Sequence, residues 1–353
     1  MIVALDATPL AVPTGGTRRY TLELAGALAR NFPQDEYWLL SDQPFSPPAI
    51  APNLRAGDPP RTAAARRWWL WGVQQEMMRR RAGVFHGTDF SVPYLPRRPS
   101  VMTVHDLSPW LHPQWQRDAN RIRRRARLLL RAGIATMVVT PSAAIRREAI
   151  QYFRLPADRV AAIPLAASAQ FQPVDTPRRN AFVFVGTLEP RKNVHRLIDA
   201  WHEVRRQRDV DLVLAGRIRD DFPPVKPESG LVLLGAVPDC ELPALYSSAL
   251  AVVYPSLYEG FGLPVLEAMQ CGALVVASND PAIREVSGGD AAIHVDAENT
   301  RDLVEALSQI AAAPEKFEPV RDRAIARARS FSWTRTAQQT HEIYVEAQRI
   351  FKK

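Results

Sequence analysis

Two glutamates enclose a glycine-rich turn in Glu259-Gly-Phe-Gly-Leu-Pro-Val-Leu-Glu267. The apolar run Ala249-Leu-Ala-Val-Val-Tyr-Pro precedes them, so the pattern predicts a strand ending near Tyr254, a turn, and a helix opening at Pro264. Glycines at 260 and 262 allow a ligand to approach the main chain closely. The amides of Gly260, Phe261, Gly262 and Leu263 then lie at a helix N-terminus, where the dipole favours an anion. Carboxylates accept the paired hydroxyls of a sugar, and amides suit a phosphate. The spacing alone carries no weight, but strand, glycine turn and helix together read as a nucleotide-sugar site.

Three further constellations fit the same chemistry. Thr14-Gly15-Gly16-Thr17 lies between the first strand and the first helix, where a loop either presents amides to a phosphate or simply turns, with Thr17 as cap. Gly186-Thr-Leu-Glu-Pro-Arg191-Lys192-Asn193 sets two adjacent cations at a helix start, unfavourably for the dipole, so an anion is expected to compensate. A departing diphosphate needs such neutralisation. Val104-His105-Asp106 ends a strand, and the carboxyl ends of strands face ligands in open α/β sheets. A neutral His105 there can hydrogen-bond a sugar hydroxyl, or is simply a satisfied structural histidine, with Asp106 either orienting the ring or capping the next turn. Asp209-Val-Asp211 matches a metal-binding Asp-x-Asp by letters, but it precedes a strand and so lies at the wrong end; no metal is expected.

These residues need a scaffold, and the rest of the chain predicts one. Apolar runs recur at Ile2, Tyr37, Val84, Val101 and Met137, and again at Phe182, Leu212, Leu231, Leu250 and Leu274, with amphipathic stretches between them. Near-continuous Val, Ile and Leu runs alternating with helices predict parallel sheets buried on both faces, hence an α/β chain of two Rossmann-like domains. The 353 residues suffice for two cores. The polar, Pro-punctuated segment 170–179 marks the boundary: domains at 1–170 and 171–332, then a C-terminal helix over 333–353 with Ile343, Tyr344, Ala347, Ile350 and Phe351 on one side. The Pro/Ala-rich stretch 44–65 reads as a surface loop.

Two cysteines, Cys240 and Cys271, are too few for a disulfide framework or a zinc site. No apolar run approaches the ~20 residues of a membrane span, and the N-terminus lacks a basic leader, so a cytoplasmic protein is expected. Charge is uneven. Residues 1–168 carry 23 Arg, no Lys and 12 acidic residues, a balance of +11; the remainder carries 22 basic and 25 acidic residues, a balance of −3. Arg66-Arg67, Arg79-Arg80-Arg81 and the run Arg121 to Arg131, with Trp68-Trp69-Leu70-Trp71 beside the first, suit an anionic membrane surface or lipid phosphate, or form an ordinary solvated face with the tryptophans in the core; nucleic acid fits less well.

The Glu259–Glu267 segment resembles the Glu-x7-Glu signature of retaining glycosyltransferases of the GT-B fold, in the family called group 1 or family 4. The resemblance spans nearly the whole chain and implies two Rossmann-like domains facing a central cleft, closing over the substrates, with the C-terminal helix crossing back to the first domain after Ser332-Trp333-Thr334. It implies that Glu259 holds donor-sugar hydroxyls and Glu267 the ribose. Lys192 meets the diphosphate with Arg191 near, Gly15 and Gly16 serve donor phosphate and acceptor, and His105 lies by the reacting carbon. The backbone at Val237, in Gly235-Ala-Val-Pro, meets the base. Many relatives carry Arg directly after the first glycine of the cation loop; here that position is Thr187, which leaves open which two basic residues grip the phosphates. The opening Asp6-Ala-Thr-Pro, Val-His-Asp-Leu and Gly-Thr-Leu-Glu-Pro-Arg-Lys-Asn resemble bacterial mannosyltransferases that build O-antigen or other surface polysaccharide. GDP-mannose is then the expected donor, as substrate and not cofactor, with a lipid-linked oligosaccharide as acceptor at the inner membrane face. A UDP-sugar enzyme is the first alternative; a sugar-nucleotide epimerase and a non-catalytic membrane or nucleic-acid binding protein are the others.

Overall fold

The computed structural model describes residues 1–12, 15–60, 62–115 and 119–352, without the side chains of 63, 64, 119 and 121. Each apolar run forms a strand whose neighbours are all parallel. In the first sheet these are β1 (Ile2–Asp6), β2 (Glu36–Leu40), β3 (Leu54–Ala56), β4 (Val84–Gly87), β5 (Ser100–Thr103), β6 (Met137–Thr140) and β7 (Val160–Ala162), in the order β3-β2-β1-β4-β5-β6-β7. The second sheet holds β8 (Ala181–Val185), β9 (Asp211–Ala215), β10 (Leu231–Gly235), β11 (Ala251–Tyr254), β12 (Val275–Ser278) and β13 (Ile293–Val295), in the order β10-β9-β8-β11-β12-β13. Both are doubly wound: the first strand lies inside and the order reverses beside it. The inner strands β1, β4, β5, β8, β11 and β12 are almost wholly buried, which explains their unbroken apolar runs.

The chain divides into two compact units, Met1–Leu165 with Ser332–Lys353, and Ala166–Phe331. The change of unit therefore falls before the 170/171 boundary read from the sequence. The reason is local: Phe171 is fully buried with its ring 6.1 Å from that of Tyr246, and Gln270 Nε2 donates to the carbonyls of Ser168 (3.2 Å) and Phe171 (2.7 Å). The stretch 44–65 is not merely a loop. Leu54 enters β3 beside Tyr37, and Asn53 Nδ2 donates to the carbonyls of Ala29, Phe32 and Asp35. A three-residue edge strand is too short to register as a period.

The helix Gly16–Asn31 buries Tyr20, Leu24 and Leu28, whose spacing of four places them on one face. Its cap is Gly15, at φ +136, and Thr17 stands inside the first turn. The C-terminal helix Trp333–Phe351 starts at a Ser332 cap, whose hydroxyl accepts from Arg335 N. It packs along Gly16–Asn31. Its buried face is Trp333, Thr336, Ala337, Thr340, Tyr344 and Ala347, whereas Phe351 is exposed and Ile343 and Ile350 are half-buried. The two threonines can be buried because each hydroxyl donates to the carbonyl one turn earlier, Thr336 Oγ1 to Ser332 O and Thr340 Oγ1 to Thr336 O, and Thr336 Oγ1 also meets Pro164 O.

One polar node pins this helix to the sheet. His86 on β4 is fully buried, with Nδ1 2.7 Å from Tyr344 Oη and Nε2 2.8 Å from Thr103 Oγ1, which also meets Tyr20 Oη at 2.9 Å. Burial, with a smaller push from His105, lowers the His86 pKa to about 3. The unfolded imidazole takes a proton near 6.5, the folded one only near 3, so this group costs stability as pH falls between those values. A His86→Gln variant is expected to lose less stability than the native chain between pH 7 and pH 4. Tyr344→Phe is expected to cost about 1–3 kcal/mol at pH 7 by stranding the ring nitrogen. Urea unfolding at both pH values checks the pair; an unchanged acid limb in His86→Gln contradicts the assignment.

Candidate functional site

In the second sheet the order reverses between β8 and β11, and the loops that follow these two strands carry Arg191 with Lys192 and Glu259. After β8, Gly186 at φ +152 leads through Leu188 to a single turn, Pro190–Lys192, ahead of the helix Val194–Arg205. Next to it Gly216 ends β9, and a Cβ there would lie 1.8 Å from Gly186 O, so no side chain fits. After β11 the chain reaches Glu259 and then the helix Leu263–Gln270. The two loops are tied by Leu257 N donating to Arg191 O and by Asn193 Nδ2 donating to Pro255 O.

The tie brings opposite charges together under little solvent. Glu259 is 6% exposed; Oε1 accepts from Lys192 Nζ at 2.5 Å and Oε2 from Arg191 Nη1 at 2.9 Å. Arg191 also donates to Tyr258 O and to Glu189 Oε1, and Glu189 Oε2 meets Arg219 Nη1 at 2.9 Å. Arg219 is held in turn by Asp221. Lys192 Nζ donates also to Tyr254 Oη, with the ring centroid 4.7 Å away. Burial pushes the Glu259 carboxyl up, but Arg191 and Lys192 outweigh it and hold its pKa at about 2. Burial and the neighbouring Arg191 lower the Lys192 pKa against the pull of Glu259. Here the structure corrects the sequence argument. The adjacent cations at 191 and 192 need no bound anion to compensate them, because Glu259 and Glu189 already do.

The glycine turn is built as its sequence suggests. Gly262, at φ +97, caps Leu263–Gln270, a conformation that costs any other residue about 1–2 kcal/mol. No acceptor for the N–H groups of Phe261, Gly262 or Leu263 is present among the described residues. Glu267 lies inside the helix at 1% exposure, and Tyr246 Oη donates to its Oε2 at 3.3 Å. The two glutamates thus have separate partners, Glu259 the cations and Glu267 the tyrosine. Val237 is half-buried just beyond β10, whose Gly235 O accepts from Gly216 N.

In the first unit, His105 follows β5 and is half-buried, its Nε2 donating to Thr88 O at 2.8 Å and its ring 5.0 Å from that of Tyr20, edge to face. This leaves Nδ1 as the ring's remaining polar atom. Among the described residues Asp106 makes no hydrogen bond to the imidazole; its Oδ1 accepts from Ser108 N and Oγ and caps the following turn. Gly15 and Gly16 have open space where a Cβ would stand. Thr14 lies outside the described residues.

Several residues went unread. Tyr254, Glu189 and Arg219 complete the charge cluster, and Asp280 caps the helix Pro281–Ser287 while its Oδ2 accepts from Glu259 N. Burial, aided by Glu259, raises the Asp280 pKa to about 6. Glu189 was legible, being in the same loop as the cations; the others come from distant segments. Asp209 and Asp211 are both ion-paired with Arg205, at 3.5 and 3.0 Å.

Glu259→Gln leaves two buried cations facing each other, and is expected to destabilise the second unit by about 3–5 kcal/mol. Adding Lys192→Met is expected to recover part of the loss in a double-mutant cycle. The native carboxylate's contribution is fully present above about 4.5 and is lost as pH falls through about 2, so the native and Glu259→Gln unfolding curves converge in acid. Parallel curves contradict the cluster.

Comparison with known proteins identifies this architecture. Residues 168–331 match the family model of glycosyl transferases group 1, and residues 14–171 match that of glycosyltransferase family 4. The O-antigen chain mannosyltransferase B of Escherichia coli is 33% identical over 283 residues, covering 74% of each chain. The MMP alpha-(1->4)-mannosyltransferase of Mycolicibacterium hassiacum is 32% identical over 221 residues, 60% of this chain and 54% of that one. Among solved structures, sucrose-phosphate synthase from Thermosynechococcus elongatus superposes with a TM-score of 0.75 at 19% identity, covering 98% of both chains. HepE of Anabaena, solved with UDP-glucose, also gives 0.75 at 19% identity, covering 98% of this chain and 99% of that one. Two parallel, doubly wound sheets and matches across both halves have one reading: the chain is a GT-B glycosyltransferase and belongs to the group 1, family 4 glycosyltransferases.

Proposed function

We propose that this glycosyltransferase moves mannose from GDP-mannose to a hydroxyl of a lipid-linked oligosaccharide or surface-polysaccharide intermediate, with retention and without a metal or other cofactor. The buried Lys192–Glu259–Arg191 cluster beside the amides of Phe261, Gly262 and Leu263 carries the reading. Mannose rests on the mannosyltransferase names of the Escherichia coli and Mycolicibacterium relatives. In this reading Glu259, ionised across the physiological range, accepts donor-sugar hydroxyls, and Glu267 accepts those of the ribose. The amides and Lys192 meet the diphosphate, Arg191 steadies Glu259, the backbone at Val237 meets the base, and His105 turns Nδ1 to a sugar hydroxyl.

The acceptor oxygen bonds to the anomeric carbon as the carbon–phosphate oxygen bond breaks, and the hydroxyl proton passes to the departing phosphate. Engagement of both Glu259 oxygens by cations supports this same-face route, since such a carboxylate is a poor nucleophile for a covalent intermediate. Cations and amides at the leaving group supply the neutralisation that a metal supplies elsewhere.

Thermal unfolding with GDP-mannose, GDP, UDP-glucose or UDP, with and without Mg²⁺, tests the donor. At 100 times its dissociation constant, GDP-mannose is expected to add about 2.7 kcal/mol. The gain should be independent of Mg²⁺, be reduced in Lys192→Ala, and accompany transfer of mannose to a lipid-linked acceptor. Stabilisation by UDP or UDP-glucose alone overturns the donor, and a strict Mg²⁺ requirement overturns the metal-free mechanism.

A further inference from the structure

The first unit has a cavity of about 520 Å³ that the donor chemistry does not use. Thr8, just past β1, and Asp42, just past β2, stand on its wall, so it opens at the carboxyl ends of the first sheet, where ligands bind in such folds. Arg66, Arg67 and Arg125 line it together with Trp69 and Tyr94. A π-helical turn, Trp68–Gly72, shapes this wall. Gly72 makes that turn possible, since a Cβ there would lie 2.3 Å from Ala65 O, and Tyr94 N fastens it by donating to Trp69 O. Such turns are rare and concentrate at functional sites.

The arginines of the cavity differ from their neighbours. Arg79 and Arg80 are paired with Asp58 and Glu76. Arg66 and Arg67 have no carboxylate partner among the described residues, and Arg125 Nε is buried without a hydrogen-bond acceptor. Arg125 also lies 5.4 Å from the Trp69 ring centroid. Guanidinium groups lining one cavity beside an indole and a phenol, Arg66 and Arg67 without a carboxylate and Arg125 within electrostatic reach of the buried Asp89, suit a phosphate ester joined to an apolar or pyranose body: the forks grip phosphate oxygens, and the aromatic faces take the rest. The lone Asp42 carboxylate can accept sugar hydroxyls.

We infer that this cavity holds the diphosphate of a prenyl-diphosphate-linked acceptor, with Arg66, Arg67 and Arg125 on the phosphates and Trp69 and Tyr94 against the adjoining sugar or prenyl carbons. The inference rests on the reading of the acceptor as lipid-linked, and assigns its anionic group to these residues.

Titration calorimetry of the full chain, saturated with GDP to occupy the donor site, tests it with farnesyl diphosphate, farnesol, inorganic pyrophosphate and phosphatidylglycerol vesicles as probes. Farnesyl diphosphate is expected to bind more tightly than pyrophosphate, and farnesol not at all. Arg66→Ala and Arg67→Ala, both at exposed positions, should each weaken farnesyl diphosphate about tenfold, and Arg79→Ala should not. Arg125→Gln should do the same while thermal unfolding reports an intact unit. Equal affinity for pyrophosphate and farnesyl diphosphate overturns the prenyl-linked assignment in favour of a soluble phosphorylated ligand. Vesicle binding that is lost in the same variants, without farnesyl diphosphate binding, replaces the cavity with a membrane surface. Farnesyl diphosphate affinity unchanged by the arginine substitutions overturns the site. GDP affinity is read in the same experiment, so a failed donor assignment is seen separately.

Discussion

A buried carboxylate shared by two cations sets the terms for the second unit. Glu259 can stay ionised under 6% exposure only because Lys192 and Arg191 reach it from the neighbouring strand loop. Removing any one partner leaves charge without compensation in a poorly solvated place. The surrounding structure serves this requirement. Gly186 and Gly216 let two strand ends approach each other, Asn193 ties the cation turn to Pro255, and Asp280 holds the Glu259 amide. Glu189, Arg219 and Asp221 extend the alternation of charge outward, so the cluster ends at the surface with its signs balanced.

Such a cluster has a chemical consequence. Groups that are already paired and oriented need little rearrangement when charge develops at a leaving group, which is the condition for electrostatic catalysis. Glu259 at a pKa near 2 is always an acceptor and never an acid in the working range, so its role in the proposed transfer is to hold hydroxyls in place. Asp280 behind it is shifted the other way, to about 6, because burial and then the Glu259 charge outweigh the backbone amides it accepts from.

The first unit solves a different problem with the same strand order. Its sheet depends on a helix from the far end of the chain, and His86, Thr103, Tyr20 and Tyr344 form the polar joint that fixes it. Around the open end of that sheet, Arg79 and Arg80 pair with Asp58 and Glu76, whereas Arg66 and Arg67 line the cavity without a carboxylate partner among the described residues. The balance of +11 over residues 1–168 is therefore divided between arginines in ion pairs and arginines that line a cavity, not one uniform basic face.

The sequence by itself determined the class of the fold, the strands that build it, and the Glu259–Leu263 turn. These follow from local rules: apolar runs with period, glycines where φ turns positive, and Pro264 at a helix start. Resemblance supplied the family and the roles expected of the site residues. Local rules could not show that Glu259 takes its counter-charge from Lys192 and Arg191, more than sixty residues earlier, or that the two glutamates of the signature have different partners. Nor could they show the edge strands β3, β7 and β13, three residues each, or the threonine-bearing face of the last helix. Each of these depends on which segments become neighbours, and burial and ion pairing are decided only when tertiary structure removes water from between them.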